Sequence, residues 1–378
     1  MCGVVGFITK INNANNNFSN LQKMCASLIH RGPDSEGSTS YDNKVYLAHR
    51  RLSILDISEG GAQPMHSNSG RYIISFNGEI YNHLFLRKNI EKKNNIKWKS
   101  SSDTETLVEL FDTFGIDKTL KKISGMFSIS LLDKKEKKIF LIRDRMGEKP
   151  MYYGFNNNTF FFGSEIKAFK ANKDLKLSLN EYSISKYFKY GYIPTPLSIF
   201  NDVYKLQAAH YLEISFENID TSNYKIKRYW EKEDEANNEI NYSDIKNNTE
   251  NLLLNSVEEQ LISDVPLGAF LSSGIDSSLI VSMMQKISPG NVNTFSIGFK
   301  EKEYDEAKNA KKIDYFLNNN HNEFYVNTKN VLEMIPNIAT IYDEPFADSS
   351  QVPTYLVSQF AKQKVKVSLS GDGGDELF

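Results

Sequence analysis

The chain has 378 residues, with 45 basic and 47 acidic side chains, a formal net charge of -2 and a mean hydropathy of -0.45. Its hydrophobic share of 40% and aromatic share of 12% suit a globular protein, and its length suits about two or three domains with separate cores. Near-neutral charge argues against nucleic-acid binding, which leaves a basic excess; no apolar run is long enough to span a membrane, and VVGFI is too short for a signal peptide.

The first 215 or so residues predict short strands with a few helices. VVGFI, KVYLAH, RYIISFN, FSISLL, KIFLIRD and TFFFG are strand candidates separated by Gly, Asn and Asp turns. In FSNLQKMCASLIH, Phe18, Leu21, Cys25, Leu28 and Ile29 recur at helical spacing, so Cys25 is expected to be a buried small hydrophobe. DTETLVELFDTFG predicts a helix with Leu107, Val108, Leu110, Phe111 and Phe114 on one stripe, capped by Asp103 or Thr104 and closed by Gly115. Strands with flanking helices predict α+β layers. Residues 216–248 turn polar and charged and read as a linker.

Beyond 248 the pattern changes. A helix around 251–262 is followed by strand GAFL, helix SSLIVSMMQK, strand NTFSIGF, helix DEAKNAKKIDYFL and strand EFYV. Helices near VLEMI and TYLVSQFAK and strand VKVSLS complete the series. Alternating strands and helices predict a parallel, doubly wound sheet. Two cysteines cannot build a disulfide framework, which points to a reducing cytoplasm.

One of those cysteines stands directly behind Met1. If Met1 is removed, Cys2 carries a thiol and a free α-amine on the same residue. An α-amine has a reference pKa of about 7.7–8.0, so it can accept the thiol's proton near neutral pH and supply nucleophile and base together. Alone, a cysteine here reads sooner as a buried or incidental residue. Six stretches change that balance: MCGVVGF, HRGPDSEG (30–37), HRRLSILD (49–56), FNGEIYN (76–82), SDTE (102–105) and RDRMGEKPMYY (143–153). In this order and spacing they resemble the amino-terminal-nucleophile glutaminase domain of class II glutamine amidotransferases, over nearly the whole first half.

That resemblance implies an αββα sandwich over 2–215 in which Cys2 attacks the glutamine side-chain amide, forms a thioester and releases ammonia. It implies that the Asn77 amide and the Gly78 N–H form the oxyanion hole. Arg51 would bind the substrate carboxylate, and Glu79 and Asp103 the substrate ammonium. Two of these have a plainer reading beside them: Asn-Gly as a tight turn, which leaves Glu79 unexplained, and Asp103 as a helix cap. Arg50 is expected to be an ordinary surface charge, and His30, Arg31 and Asp34 to be loop supports.

In the second half, GAFLSSGIDSSLI reads as strand, turn and helix. It resembles the pyrophosphate loop of ATP-pyrophosphatases, SGGxDS, with Ser273 where that family has a glycine. Ser272, Gly274, Asp276 and Ser277 match, with Asp276 also a Mg²⁺ ligand on the phosphates. Helix N-termini offer backbone N–H groups to such anions. Ile297 in TFSIGF matches a position that contacts adenine. The stretch YDEPFADSSQVPTYLVSQFAKQKVKVSLSGDGGDELF resembles the acceptor-domain core of asparagine synthetases. There Ser370 and Gly371 match ATP contacts, Asp372 a position tied to adenylate formation, and Asp375 a second metal contact, with Glu376 a further acidic match.

The expectation is therefore a cytoplasmic, glutamine-hydrolysing asparagine synthetase with ATP and Mg²⁺, possibly homodimeric by family, having neither nucleic-acid nor membrane partner. Residues 2–215 would be the glutaminase domain, 216–248 a linker and 249–378 an incomplete doubly wound ATP-pyrophosphatase-like domain. Family members continue past SGDGGDELF, so this chain is expected to be a truncated member that hydrolyses glutamine but makes no asparagine alone. Same-fold enzymes acting on another carboxylate, phosphoribosyl or glucosamine-type amidotransferases, and a non-catalytic glutamine-binding module remain alternatives.

Overall fold

Cys2 owes its position to strands whose both faces are apolar, a pattern that requires cover on each side. The computed structural model describes every residue except 12, 93–95, 157, 218, 220–223, 233–240, 300–304 and 378. The described chain forms two units: Met1–Glu233 with Asp343–Phe346, and Asp234–Tyr342 with Ala347–Phe378.

The first unit contains strands β1 (Gly3–Thr9), β2 (Ser35–Tyr41), β3 (Val45–Arg51), β4 (Met65–His66), β5 (Tyr72–Ile80) and β6 (Gly125–Asp133). It continues with β7 (Lys138–Arg143), β8 (Tyr152–Asn156), β9 (Thr159–Gly163), β10 (Val203–Lys205), β11 (His210–Ser215) and β12 (Tyr224–Arg228). They form two six-stranded sheets, ordered β10-β8-β9-β1-β3-β2 and β12-β11-β7-β6-β5-β4. Between the sheets lie Val4, Leu47, Ile73, Leu132, Phe160 and Phe162. Helices α1 (Ala14–Ala26), α5 (Lys167–Ala171) and α6 (Glu181–Tyr190) supply cover for the outer face of the β1 sheet. Helices α2 (His83–Glu91), α3 (Asp103–Phe114) and α4 (Ile116–Lys122) do the same for the β5 sheet. The result is the expected αββα sandwich, and Cys25 is buried on its α1 side.

Local chemistry departs from the sequence reading at several points. The cap of α3 is Ser102, whose hydroxyl accepts the Glu105 N–H at 3.2 Å, rather than Asp103 or Thr104. Asp103 instead accepts the Ile80 N–H at 3.0 Å, which fixes its carboxyl against β5. Gly115 closes the helix as expected, at φ 75°. Asn77 and Gly78 form no turn but lie inside β5. Within the polar stretch 216–248, β12 pairs with β11, its charged residues marking a sheet edge.

The second unit alternates strand and helix. It runs α7 (Tyr242–Gln260), β13 (Leu267–Phe270), α8 (Ile275–Ile287), β14 (Asn293–Phe299), α9 (Ala307–Leu317), β15 (Asn320–Val326) and α10 (Thr328–Met334). Then come α11 (Ile338–Ile341), α12 (Gln351–Ala361), β16 (Val367–Leu369) and α13 (Gly374–Leu377). The strands are parallel, ordered β15-β14-β13-β16. Ala269 and Leu271 pack with Val257 of α7 and Val281 of α8 on one face, while Phe270 and Phe295 meet Val357 and Phe360 of α12 on the other. Helices on both faces confirm a doubly wound sheet. Helix α7 starts earlier than its apolar pattern predicts, because the Asn241 side chain caps it by accepting the Asp244 N–H at 3.0 Å.

Phe162 has no exposed surface and fills the layer between the two sheets. Phe162→Ala is expected to cost the first unit about 3–5 kcal/mol. A lower urea midpoint for the loss of Cys25 protection against a thiol reagent would register it.

Candidate active site

Strand β1 is an interior strand of its sheet, held by β3 on one side and β9 on the other. Its first residues are pinned further by Ser164, whose hydroxyl accepts the Val4 N–H at 3.0 Å and whose N–H donates to the Val4 carbonyl at 2.8 Å. Strand side chains alternate between faces. Val4 points between the sheets, so Cys2, two residues earlier, is directed to the open end of the same layer. Its half-buried thiol lies 3.4 Å from the Leu52 N–H, which donates to it. Burial pushes the thiol pKa up, and the adjacent chain terminus and the Leu52 contact work against that rise. Burial also draws the chain's terminal amine, here on Met1, down to about 5, with the Arg31 and Lys149 charges acting in the same direction.

Strand β5 brings the opposite wall. Ile73 faces the inter-sheet layer, so by alternation Asn77 and Glu79 face it too. Asn77 is 1% exposed, and neither its amide nitrogen nor its amide oxygen has a partner among the described residues. A buried amide left with both ends free is costly unless something else binds there. Gly78 has φ 157°, and a Cβ at this position would run into the Met126 carbonyl of β6. Only glycine fits here, and it lets β5 and β6 stay close beside the pocket.

Glu79 is buried, with one carboxylate oxygen unpartnered. Burial, and then the neighbouring Asp103 charge, raise its pKa to about 7. Asp103 is raised to about 6 by burial, against the pull of backbone donors including the Ile80 N–H. Arg51, at the end of β3, is 6% exposed and donates to the Ser58 carbonyl at 2.7 Å, the Leu55 carbonyl at 3.3 Å and the Asp56 carbonyl. These carbonyls leave its position little freedom, and Gly61 packs so near that a Cβ would strike the guanidinium. The charges of Asp103 and Arg51 both act on the Cys2 thiol. The fold thus brings Cys2, Arg51, Asn77, Gly78, Glu79 and Asp103 to one end of the sandwich.

Arg50 corrects the sequence reading. It is 7% exposed rather than a surface charge, donating to the Gly32 carbonyl at 3.0 Å and pairing with Glu36. Asp34 supports its loop as expected, accepting the Ser53 N–H at 2.9 Å.

In the second unit, two loops leave the carboxyl ends of the adjacent strands β13 and β16. After β13, the Ser272 hydroxyl accepts the Gly274 N–H at 3.1 Å and meets the Ser277 hydroxyl at 2.8 Å, which folds the loop onto the start of α8. Ser273 is not among the residues with positive φ, so this backbone carries a side chain there without strain. After β16, the Ser370–Gly371–Asp372 loop leads into α13, which carries Asp375 and Glu376 in its first turn. A Cβ on Gly371 would lie 2.6 Å from the Ser277 nitrogen, and one on Gly374 would lie 2.5 Å from the Asp276 Cγ. Glycine therefore lets the two loops touch, and Asp276 stands at their seam. Ile297 lies on β14, two residues beyond Phe295, whose carbonyl accepts the Leu271 N–H at 2.9 Å. Among the described residues no three His, Cys, Asp or Glu side chains gather to hold a metal. A Mg²⁺ held by one or two carboxylates and phosphate oxygens needs no such cluster; Asp276 at the loop seam and Asp375, next to Gly374, are carboxylates of the kind it takes.

Comparison with known proteins agrees with this division of chemistry. A glutamine amidotransferase domain family matches residues 1–230, and an asparagine synthase family matches residues 248–378. A chain of Methanocaldococcus jannaschii, provisionally named glutamine-hydrolyzing asparagine synthetase 2, is 38% identical over the whole of this chain and 75% of its own length. The chain belongs to the glutamine-hydrolysing asparagine synthetase family. Asparagine synthetase 1 of Bacillus subtilis is 32% identical over the whole chain, which spans 58% of that relative's length. Among solved structures, glutamine phosphoribosylpyrophosphate amidotransferase of B. subtilis, complexed with ADP and GMP, aligns over 94% of this chain and 100% of its own. Its TM-score is 0.47 and its identity 13%, too slight a likeness to carry the fold, which rests on the sheets themselves. Among the described residues no helix is long and apolar enough to cross a membrane.

Sequence reading of this asparagine synthetase family member missed Lys149. It is 7% exposed, and its charge acts on both Glu79 and the terminal amine. The signal was present in RDRMGEKPMYY, but a lone lysine gives no hint of burial. The structure supplies that hint: Asp144 accepts the N–H groups of Glu148 and Lys149, each at 2.9 Å, and so fixes the loop.

The raised pKa of Glu79 has a consequence for stability. The folded protein holds this proton more tightly than the unfolded chain, whose value is near 4.5. The associated stability is complete below that value and is lost as pH rises through about 7. Glu79→Gln is therefore expected to flatten the decline in thermal stability between pH 5 and 8, leaving the variant about 1–3 kcal/mol more stable than the native protein at pH 8.

Proposed function

We propose that the chain takes part in the chemistry of a glutamine-hydrolysing asparagine synthetase, with residues 2–215 releasing ammonia from glutamine, 216–248 as the connecting stretch and 249–378 contributing to activation of aspartate by ATP. The observation that carries this reading is the first site. One end of the sandwich gathers a thiol, an amide that is buried without a partner among the described residues, and two buried carboxyls of raised pKa.

Removal of Met1 would make Cys2 the chain terminus and place its α-amine beside its own thiol. The depressed pKa of the present terminal amine supports a pocket that favours the neutral form, which is the form a base requires. The amine takes the thiol proton, and the sulfur attacks the δ-carbonyl carbon of glutamine. Asn77, by its amide nitrogen, and Gly78, by its backbone N–H, receive the developing oxyanion. The proton passes to the leaving nitrogen, ammonia departs, and water then releases glutamate from the thioester. Arg51 holds the substrate α-carboxylate with its planar fork, while ionised Glu79 and Asp103 hold the α-ammonium.

In the second half, the start of α8 and the loops holding Ser272, Gly274, Ser277, Ser370 and Gly371 bind ATP, with Ile297 contacting adenine through its backbone. Asp276 and Asp375 would hold Mg²⁺, which supplies charge neutralisation on the phosphates when bound. Asp372 assists formation of β-aspartyl-AMP and pyrophosphate from aspartate and ATP. Ammonia then displaces AMP to give asparagine.

Cys2→Ala is expected to abolish glutamate release while glutamine still binds, and intact mass should show Met1 absent from the native protein. Asn77→Ala should lower the rate about 10²–10³-fold. Undiminished glutamate release by Cys2→Ala, or a retained Met1 in active protein, would refute the first-site reading. For the second site, Gly371→Val is expected to weaken Mg·ATP binding in titration calorimetry without reducing glutamate release; unchanged affinity would exclude this loop from the nucleotide site.

A further inference from the structure

Cys2 is held by its backbone as well as its strand. The Arg31 Nε–H donates to the Cys2 carbonyl at 2.8 Å, and the other end of that guanidinium is occupied. Arg31 Nη1 meets Glu165 Oε1 at 2.6 Å, while Glu165 Oε2 takes Lys167 Nζ at 2.7 Å and the His30 Nε2 at 2.9 Å. Glu165 begins two residues after β9, beside the Ser164 contacts that pin β1, so its own backbone is fixed to the strand that carries Cys2. Lys167 is anchored in turn, donating its N–H to Asp343 at 2.9 Å with its Nζ 3.5 Å from the same carboxylate. Burial alone would raise the Glu165 pKa, but His30, Arg31 and Lys167 outweigh it and hold the carboxyl at about 2.

We propose that Glu165 is a positioning residue for the Cys2 nucleophile, acting through Arg31. A guanidinium is a rigid fork, so fixing one edge on a carboxylate fixes where its Nε–H points. That direction sets the Cys2 carbonyl and, through the one residue's backbone, the placement of thiol and amine against Asn77. Glu165 itself touches neither the thiol nor the groups assigned to glutamine. Its loss therefore moves the reacting atoms without removing a substrate contact. A misplacement of about 1 Å can lower a rate about 10²-fold. The inference rests on Cys2 being the nucleophile.

The test uses the full chain as native protein, Glu165→Gln and Glu165→Asp. Glutamate release gives kcat and KM, and iodoacetamide labelling resolved by peptide mass gives separate rates for Cys2 and the buried Cys25. Glu165→Gln is expected to lower kcat about 10–100-fold, with the KM for glutamine nearly unchanged. The Cys2 labelling rate should change while Cys25 stays protected, and Glu165→Asp should recover part of kcat. A kcat and Cys2 labelling rate like those of native protein, with Cys25 protected, would overturn the proposal. If Glu165→Gln exposes Cys25, Glu165→Asp decides: lowered kcat with Cys25 protected supports positioning, and unaltered kcat refutes it. Native protein that releases no glutamate refutes the Cys2 reading instead, and Cys2 labelling then still decides the geometric claim.

Discussion

The hydrogen-bonded enclosure of β1 between β3 and β9 governs the geometry of the first site. A chain terminus is ordinarily the least ordered part of a domain unless a sheet ties it down. Here the second residue precedes an interior strand, and Ser164 adds two contacts at Val4. A frayed terminus could not hold a thiol against a fixed amide. The terminus of an interior strand can, because moving it breaks ladder bonds on both sides. The second sheet then needs only to present β5 at the right height, which the packing of Ile73 and Leu132 on Val4 and Phe162 achieves.

Electrostatics follow from that placement. The pocket contains two carboxyls, Glu79 and Asp103, whose pKa values burial lifts to about 7 and about 6. It also contains Arg51, Arg31 and Lys149, whose stems are buried. Among the described residues the Asn77 amide and one Glu79 oxygen are buried without a partner, a cost that the ammonium and amide of glutamine would relieve under the proposed reading. Glu165 shows the contrasting case. It is surrounded by cations and stays ionised down to about pH 2, as befits a group that orients others rather than one that exchanges a ligand.

How far the sequence revealed this depended on the type of information each feature carries. Apolar alternation in VVGFI and RYIISFN encodes strands directly, and the spacing of GAFL, NTFSIGF and VKVSLS encodes a parallel sheet. Motif order was enough to nominate Cys2, Asn77, Glu79 and Asp103. What escaped was determined by three-dimensional burial. Arg50 and Arg51 are adjacent and chemically identical, yet alternation sends one to Glu36 and the other to the carbonyls of Leu55, Asp56 and Ser58. Ser102 and Asp103 both suit a helix cap, and only the proximity of Ile80 decides which serves. Glu165 sits in an unremarkable GSEIK stretch whose partners lie about 135 residues away at His30 and Arg31.

The two halves also place their reactive groups by different physical means. In the first unit, long side chains converge on a gap between sheets, so specificity resides in which carboxyl or guanidinium reaches the gap. In the second, glycine provides clearance: a Cβ on Gly371 would collide with the Ser277 backbone nitrogen, and one on Gly374 with the Asp276 carboxyl. Under the proposed reading, phosphate would be recognised there by N–H groups that every residue owns, so clearance would matter more than side-chain identity. That difference explains why Ser273 can occupy the place of a glycine. At that point the backbone has ordinary φ, and the close approaches that exclude a side chain fall instead on the glycines after β16.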